Sequence, residues 1–185
     1  MSNLAERTIA TEPIFDGKVI KVRVDDVVLP NGEVSKREIV NHPGAVAIIA
    51  VTDEKKIVLV EQYRKALEKE IVEIPAGKLE PGEKPEVTAV RELEEETGYV
   101  CDKMEFVTSF YTSPGFADEI LYVYKAIGLK KKENKAALDE DEFVELMEVS
   151  LEEALHLIEK QHIYDAKTAY AIQYLQLQEV LKSTK

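Results

Sequence analysis

Residues Gly77 to Tyr99, GKLEPGEKPEVTAVRELEEETGY, constrain this chain more than any other stretch. Within them, Arg91-Glu92-Leu93-Glu94-Glu95-Glu96 places carboxylates at i, i+3 and i+4 (Glu92, Glu95 and Glu96), positions that share one face of a helix. Like charges stacked in this way weaken a helix, so the segment calls for a counter-charge. A hard divalent cation supplies one: Mg²⁺ takes oxygen ligands, accepts few protein groups and brings a phosphate with it. Gly77 and Gly82 mark a sharp loop, Pro85 suits a first helical turn, and Gly98 suits a C-terminal cap. The pattern predicts a helix over Pro85–Thr97 with Val87, Val90 and Leu93 as its buried stripe. Loop, acidic helix and glycine stop together read as a site for magnesium and a diphosphate.

The formal charge of −12 argues against DNA or RNA as a partner, since a polyanion wants a basic footprint. A small phosphorylated substrate is compatible, because a cation and a few arginines neutralise it locally. The 185 residues suit one domain with a modest extension. Cys101 is the single cysteine, which excludes an internal disulfide framework and fits a reducing cytoplasm. Among apolar neighbours it reads as a small core residue rather than a nucleophile. No apolar stretch is long enough to cross a bilayer, and MSNLAERT lacks a signal-peptide core.

Residues 1–40 read as β-rich. Val19–Leu29 alternates with polar residues, and Asn31-Gly32 is a hairpin turn before Glu33–Val40. Ala45–Val51 and Ile57–Gln62 are near-continuous apolar runs, the mark of strands covered on both faces. Further strands are expected at Met104–Tyr111, Glu119–Ile127 and Phe143–Val149, with a charged loop at Lys130–Asp141. Ser150 and Glu153 form a capping box opening a helix to about Gln161, and a last helix covers Asp165–Leu181. His42, His156 and His162 have no metal-ligand spacing. The expectation is an α/β/α sandwich around a mixed β-sheet, with residues 1–42 as an N-terminal β-strand extension and 43–185 as the main domain.

The Gly77–Tyr99 segment resembles the Nudix box, G-x5-E-x7-R-E-U-x-E-E-x-G-U. Gly77, Glu83, Arg91, Glu92, Leu93, Glu95, Glu96 and Gly98 are all in register, and only Tyr99 replaces an aliphatic residue. Tyrosine fills such a slot if its hydroxyl finds a partner. The resemblance implies the Nudix fold, an α/β/α sandwich, and a hydrolase of nucleoside diphosphate derivatives. It implies Mg²⁺ as cofactor, with Mn²⁺ an alternative, held by Glu92, Glu96 and the Ala76 carbonyl. Glu95 lies near enough for a catalytic role or a further ion, and Arg91 orients a glutamate through a two-bond pair.

Outside the box the chain resembles ADP-ribose pyrophosphatases. Glu61-Gln62-Tyr63-Arg64 ends a strand, Glu73-Ile74-Pro75-Ala76-Gly77 leads into the box, and Ser113-Pro114-Gly115-Phe116-Ala117-Asp118-Glu119 is similar to that family's substrate loop. By this resemblance Arg64 holds a phosphate or ribose and Glu119 bonds a ribose hydroxyl. Lys78, Ser113 and Gly115 join them at the substrate, with Arg37 and Glu38 as further contacts. In Asp139-Glu140-Asp141-Glu142, Glu140 is the general base and Glu142 another metal ligand, a choice that turns on how the loop closes. The family exchanges its N-terminal strands in a homodimer. Phe15 is then either an aromatic stacking on the partner's adenine or a core residue. Runner-up expectations are another nucleoside diphosphate sugar or dinucleotide as substrate, and a non-catalytic ADP-ribose sensor.

Overall fold

The computed structural model describes residues 4–132 and 143–184. The elements run β1 (Arg7–Asp16), β2 (Lys21–Val28), β3 (Val34–Asn41), β4 (Ala45–Ile49), β5 (Ile57–Arg64), β6 (Lys69–Glu73), β7 (Ala76–Lys78), α1 (Pro85–Thr97), β8 (Tyr99–Val100), β9 (Lys103–Tyr111), β10 (Ile120–Ile127), β11 (Lys130–Lys131), β12 (Val144–Val149), α2 (Leu151–Glu159) and α3 (Ala166–Ser183). The α/β class holds. Among the described residues the strands form several sheets, ordered β1-β2-β3, β7-β4-β10-β9, β11-β8 and β12-β5-β6. Two compact units result. One reaches to Gly44 and includes Ser109–Leu121; the other comprises Ala45–Thr108 and the chain from Tyr122 onward.

In the first unit β1, β2 and β3 pair antiparallel. The Asn31-Gly32 turn is as expected: Gly32 takes φ +89°, and Leu29 N–H donates to the Glu33 carbonyl at 2.8 Å. Strand β1 has every residue exposed, and no one-sided apolar pattern in RTIATEPIFD announced it. Asp25 of β2 is buried, where its carboxylate accepts from the Thr11 hydroxyl at 2.8 Å and pairs with Arg23 Nε at 3.3 Å.

The second unit holds the main core. All of β4 and the first four residues of β5 are buried, as their continuous apolarity demanded. Helix α1 packs against β4 and β7. Its N-cap, Lys84, makes no side-chain cap bond, so Pro85 in the first turn fixes the start. Gly98 at φ 72° ends it, donating N–H to the Glu94 carbonyl at 2.8 Å. The expected stripe needs correction: Val87 is 53% and Val90 42% exposed, and only Leu93 of the three is buried. The inner face is Thr88, Ala89, Glu92, Leu93, Glu96 and Thr97. Small side chains there let the helix approach the sheet closely, which brings the carboxylates inward and leaves the valines outside. The Ser150–Glu153 capping box forms, and Asp165 caps α3 by accepting the Thr168 N–H at 3.0 Å. Among the described residues no helix is long and apolar enough to cross a membrane.

Candidate active site

The acidic helix faces the backbone that precedes it. Glu96 is buried and its Oε2 accepts the Ala76 N–H at 2.9 Å. Glu92, also buried, lies so close to Gly77 that a Cβ there would sit 1.9 Å from its carboxyl carbon. A side chain at this position would push that carboxylate aside, so Gly77 is a close-approach residue rather than a left-handed one. Glu95 occupies the rim of the helix, one step outside the inner face.

Arg91 departs from the two-bond pair expected of it. Its Nη1 donates to Glu92 Oε1 at 2.9 Å and to Glu95 Oε2 at 2.7 Å, while Nη2 lies 3.3 Å from Glu83 Oε2. One guanidinium therefore ties together three box carboxylates, which relieves the repulsion of the glutamate row. Burial works against the Arg91 charge, yet the bonds to Glu83 and Glu95 and the field of Glu92 raise its pKa above the ordinary value. In turn the Arg91 guanidinium, helped by the Thr88 hydroxyl at 2.7 Å, holds the Glu83 carboxyl below the usual range. Glu83 was legible as a box position, but its lock onto Thr88 and Arg91 was not.

Tyr99 fills the apolar slot with its hydroxyl satisfied by Glu148 Oε1 at 2.7 Å. Burial, then that bond, push its pKa up to about 12. The Cys101 thiol is likewise pushed up, chiefly by burial, consistent with a packing role beside the core rather than a nucleophilic one.

Arg64 ends β5 with its side chain 40% exposed, and its Nε donates to Glu73 Oε2 at 2.6 Å. Glu73 is 3% exposed and is also met by Lys167 Nζ. Reading along the chain placed Glu73 only in the lead into the box, gave it no partner, and missed Lys167. The available signal was a lone carboxylate inside the apolar run Ile71-Val72-Glu73-Ile74.

The first unit gathers another set of flagged residues. Arg37, Glu38 and Gly115 line one cleft of about 490 Å³ together with Lys36 and Phe116. Arg37 makes a two-bond pair with Glu6, at 2.8 and 2.6 Å. Ser113 turns the loop, its carbonyl accepting from Phe116 and Ala117 at 3.1 and 2.9 Å. Glu119 accepts from the Thr112 hydroxyl at 2.5 Å. His42 Nδ1 accepts the Gly44 N–H at 3.1 Å and lies 3.6 Å from Glu119 Oε1. Asp118 accepts from Asn41 at 2.6 Å and from the His42 N–H at 2.8 Å. Burial opposes its charge, and those bonds outweigh it, holding the carboxyl below its ordinary range. Phe15 is 54% exposed, which removes the core alternative within this chain. Lys78 is exposed, paired through its backbone with Ala45. Glu140 and Glu142 lie outside the described residues.

A model of the NUDIX domain matches residues 41–170. The chain belongs to the Nudix hydrolase family. A model of the nucleoside diphosphate sugar hydrolase N-terminal domain matches residues 6–40 ahead of the Nudix segment. Among curated relatives, this Nudix protein is 66% identical over 185 residues to an ADP-ribose pyrophosphatase of Bacillus subtilis (strain 168), covering 100% of both chains. It is 70% identical over 177 residues, 96% of each chain, to a methanol dehydrogenase activator of Bacillus methanolicus. A crystal structure of an ADP compounds hydrolase superposes with a TM-score of 0.83 at 21% identity, covering 100% of this chain and 98% of that one, and so shares the fold.

A Nudix fold implies a divalent cation, and the residues here fit one. The donors around Ala76–Gly77 are hard oxygens, two of them from buried carboxylates that face the backbone at Ala76 and Gly77. Among the described residues no group of three or more ligating side chains gathers into a complete cage. Two buried carboxylates suit an ion that keeps water and takes substrate phosphate among its remaining ligands.

Proposed function

We propose that this Nudix protein hydrolyses the diphosphate of ADP-ribose to AMP and ribose 5-phosphate, with Mg²⁺ as cofactor and Mn²⁺ as a substitute. The observation that carries this reading is the 66% identity, end to end, to an ADP-ribose pyrophosphatase. The inward set of Glu92 and Glu96 on the Ala76–Gly77 backbone supports it.

On this reading Glu92, Glu96 and the Ala76 carbonyl hold the cation, and Glu142 adds a ligand. Bound there, the ion neutralises phosphoryl oxygens and acidifies water. Glu140 takes the proton of the attacking water; the water oxygen bonds to phosphorus as the bridging P–O bond breaks, leaving two monophosphates. Arg91 keeps Glu92 and Glu95 in place through its paired bonds. Arg64 presents a guanidinium to phosphate, and Glu119 accepts from a ribose hydroxyl. Arg37, Glu38, Lys78, Ser113 and Gly115 complete the contacts to substrate.

Residues 1–42 act as an extension exchanged in a homodimer, and Phe15 stacks on the adenine held by the partner. The support is β1 itself: ten exposed residues, with Ile9, Ile14 and Phe15 open to water, an apolar surface that a second copy of the chain can cover. Light scattering on the full chain at micromolar concentration should give twice the chain mass of 20.9 kDa, and a monomer refutes the exchange. The single cysteine supports a cytoplasmic setting.

A second reading comes from the 70% identical methanol dehydrogenase activator. A dinucleotide of the kind that serves dehydrogenases carries the same diphosphate bond, so NAD would replace ADP-ribose as substrate. With Mg²⁺, purified protein should release AMP and ribose 5-phosphate in equal amounts from ADP-ribose. Absence of AMP would refute the first reading, and faster release from NAD would favour the second.

A further inference from the structure

Glu73 is a buried carboxylate bracketed by two cations from different parts of the second unit: Arg64 at the end of β5 and Lys167 in the first turn of α3. In the β5–β6 pairing Glu73 faces Val60, four residues before Arg64. An even step along a strand returns to the same face, so the guanidinium reaches back along that face to meet Glu73. The bond uses Nε, and with the side chain 40% exposed the outer Nη edge is the part that can meet an anion. Lys167 is only 14% exposed, and it is fixed in turn: Nζ donates to Asp165 Oδ1 at 2.9 Å, and the same oxygen accepts the Thr168 N–H at 3.0 Å. Thr168, fully buried, accepts the N–H of Ile74, the residue after Glu73, at 3.0 Å. Asp165 Oδ2 is buried without a partner among the described residues, a cost that an ordinary helix cap facing water does not carry.

We propose that Lys167 is a positioning residue: through Glu73 it sets the orientation of the Arg64 guanidinium toward the substrate's phosphate. A buried carboxylate facing one cation would let that cation choose between its oxygens; a second cation on Oε1 leaves only Oε2 for Arg64. The inference rests on the reading above that Arg64 meets phosphate. The start of α3, far along the chain from the acidic box, thereby enters the binding machinery without touching substrate.

The test uses the full chain, labelled with ¹⁵N, in wild type, Lys167→Met and Lys167→Arg. The Nε–Hε signal of Arg64, assigned by its loss in Arg64→Lys, should stand apart in wild type, collapse toward the position of exposed arginines in Lys167→Met, and return in Lys167→Arg. With ADP-ribose and Mg²⁺, Lys167→Met should raise KM about tenfold and leave kcat within about twofold, as loss of one charge-assisted orientation predicts. In an Arg64→Ala background the same substitution should add almost nothing, because the two act as one unit. An unmoved Arg64 signal, or an equal KM effect with and without Arg64, overturns the proposal and leaves Lys167 a purely structural anchor. Should Lys167→Met fail to fold, Glu73→Gln gives the same readings. If wild type turns over no ADP-ribose, the reading in the preceding subsection fails, and the resonance still decides whether Lys167 orients Arg64.

Discussion

Gly77→Ala probes the proposed metal-binding geometry most cleanly. Gly77 has no positive φ, so alanine adds no backbone strain, and the whole effect comes from one methyl group. That methyl would sit 1.9 Å from the Glu92 carboxyl carbon and 2.0 Å from its Oε1. Ordinary contact begins at 3.4 Å, so the carboxylate or β7 must move by 3.4 − 1.9, about 1.5 Å. The atoms it meets are the end of a flexible side chain, so the carboxylate gives way at small cost to the fold. A displacement above 1 Å in a group that positions reactants costs roughly 10²-fold in rate. Gly77→Ala should therefore stay folded, change little in a urea titration, and release AMP from ADP-ribose roughly 10²-fold more slowly at saturating Mg²⁺. Wild-type kcat in a folded Gly77→Ala protein would refute the claim that Glu92 works from its place against this backbone.

Other perturbations separate the site from its frame. Glu96→Gln keeps the shape but removes the charge of a proposed metal ligand, and should reduce turnover by about 10²-fold or more, read as AMP release at saturating Mg²⁺. Tyr99→Phe deletes the bond to Glu148, whose carboxylate can recover water, and should cost about 1 kcal/mol in denaturant with kcat unchanged. Glu153 has its carboxyl lowered to about 2 by the Ser150 backbone and side chain and by Lys56. A depressed folded-state value means stability present above the ordinary carboxylate range and lost as pH falls toward about 2. Glu153→Ala should thus lower Tm at pH 7, with the gap to wild type closing between pH 4.5 and about 2.

The box was legible because its spacing is chemical: carboxylates at i and i+4, glycine beneath one of them, and a glycine stop each have a single physical use. The continuous apolarity of β4 and the first half of β5, and the capping signals at Ser150 and Asp165, were legible for the same reason. Val87 and Val90 misled because hydrophobic periodicity assumes that the apolar stripe is the buried one. Here the inner face of α1 carries buried carboxylates and small residues, and the valines stay in water. The short strands β6, β7, β8 and β11 have too few residues for a period to register. The Arg64–Glu73–Lys167 contact joins residues from β5, β6 and α3, and no local pattern encodes a meeting across a separation of 94 residues, that between Glu73 and Lys167.

The most direct measurement is nucleoside monophosphate release by purified protein from ADP-ribose, with Mg²⁺ and after chelation, beside NAD, GDP-mannose (read as GMP) and diadenosine polyphosphates at equal concentration. A Mg²⁺-dependent ADP-ribose hydrolase should show its highest kcat/KM on ADP-ribose and no release once the metal is removed. Equal activity without divalent metal, or silence on ADP-ribose with turnover of another compound, would contradict that assignment.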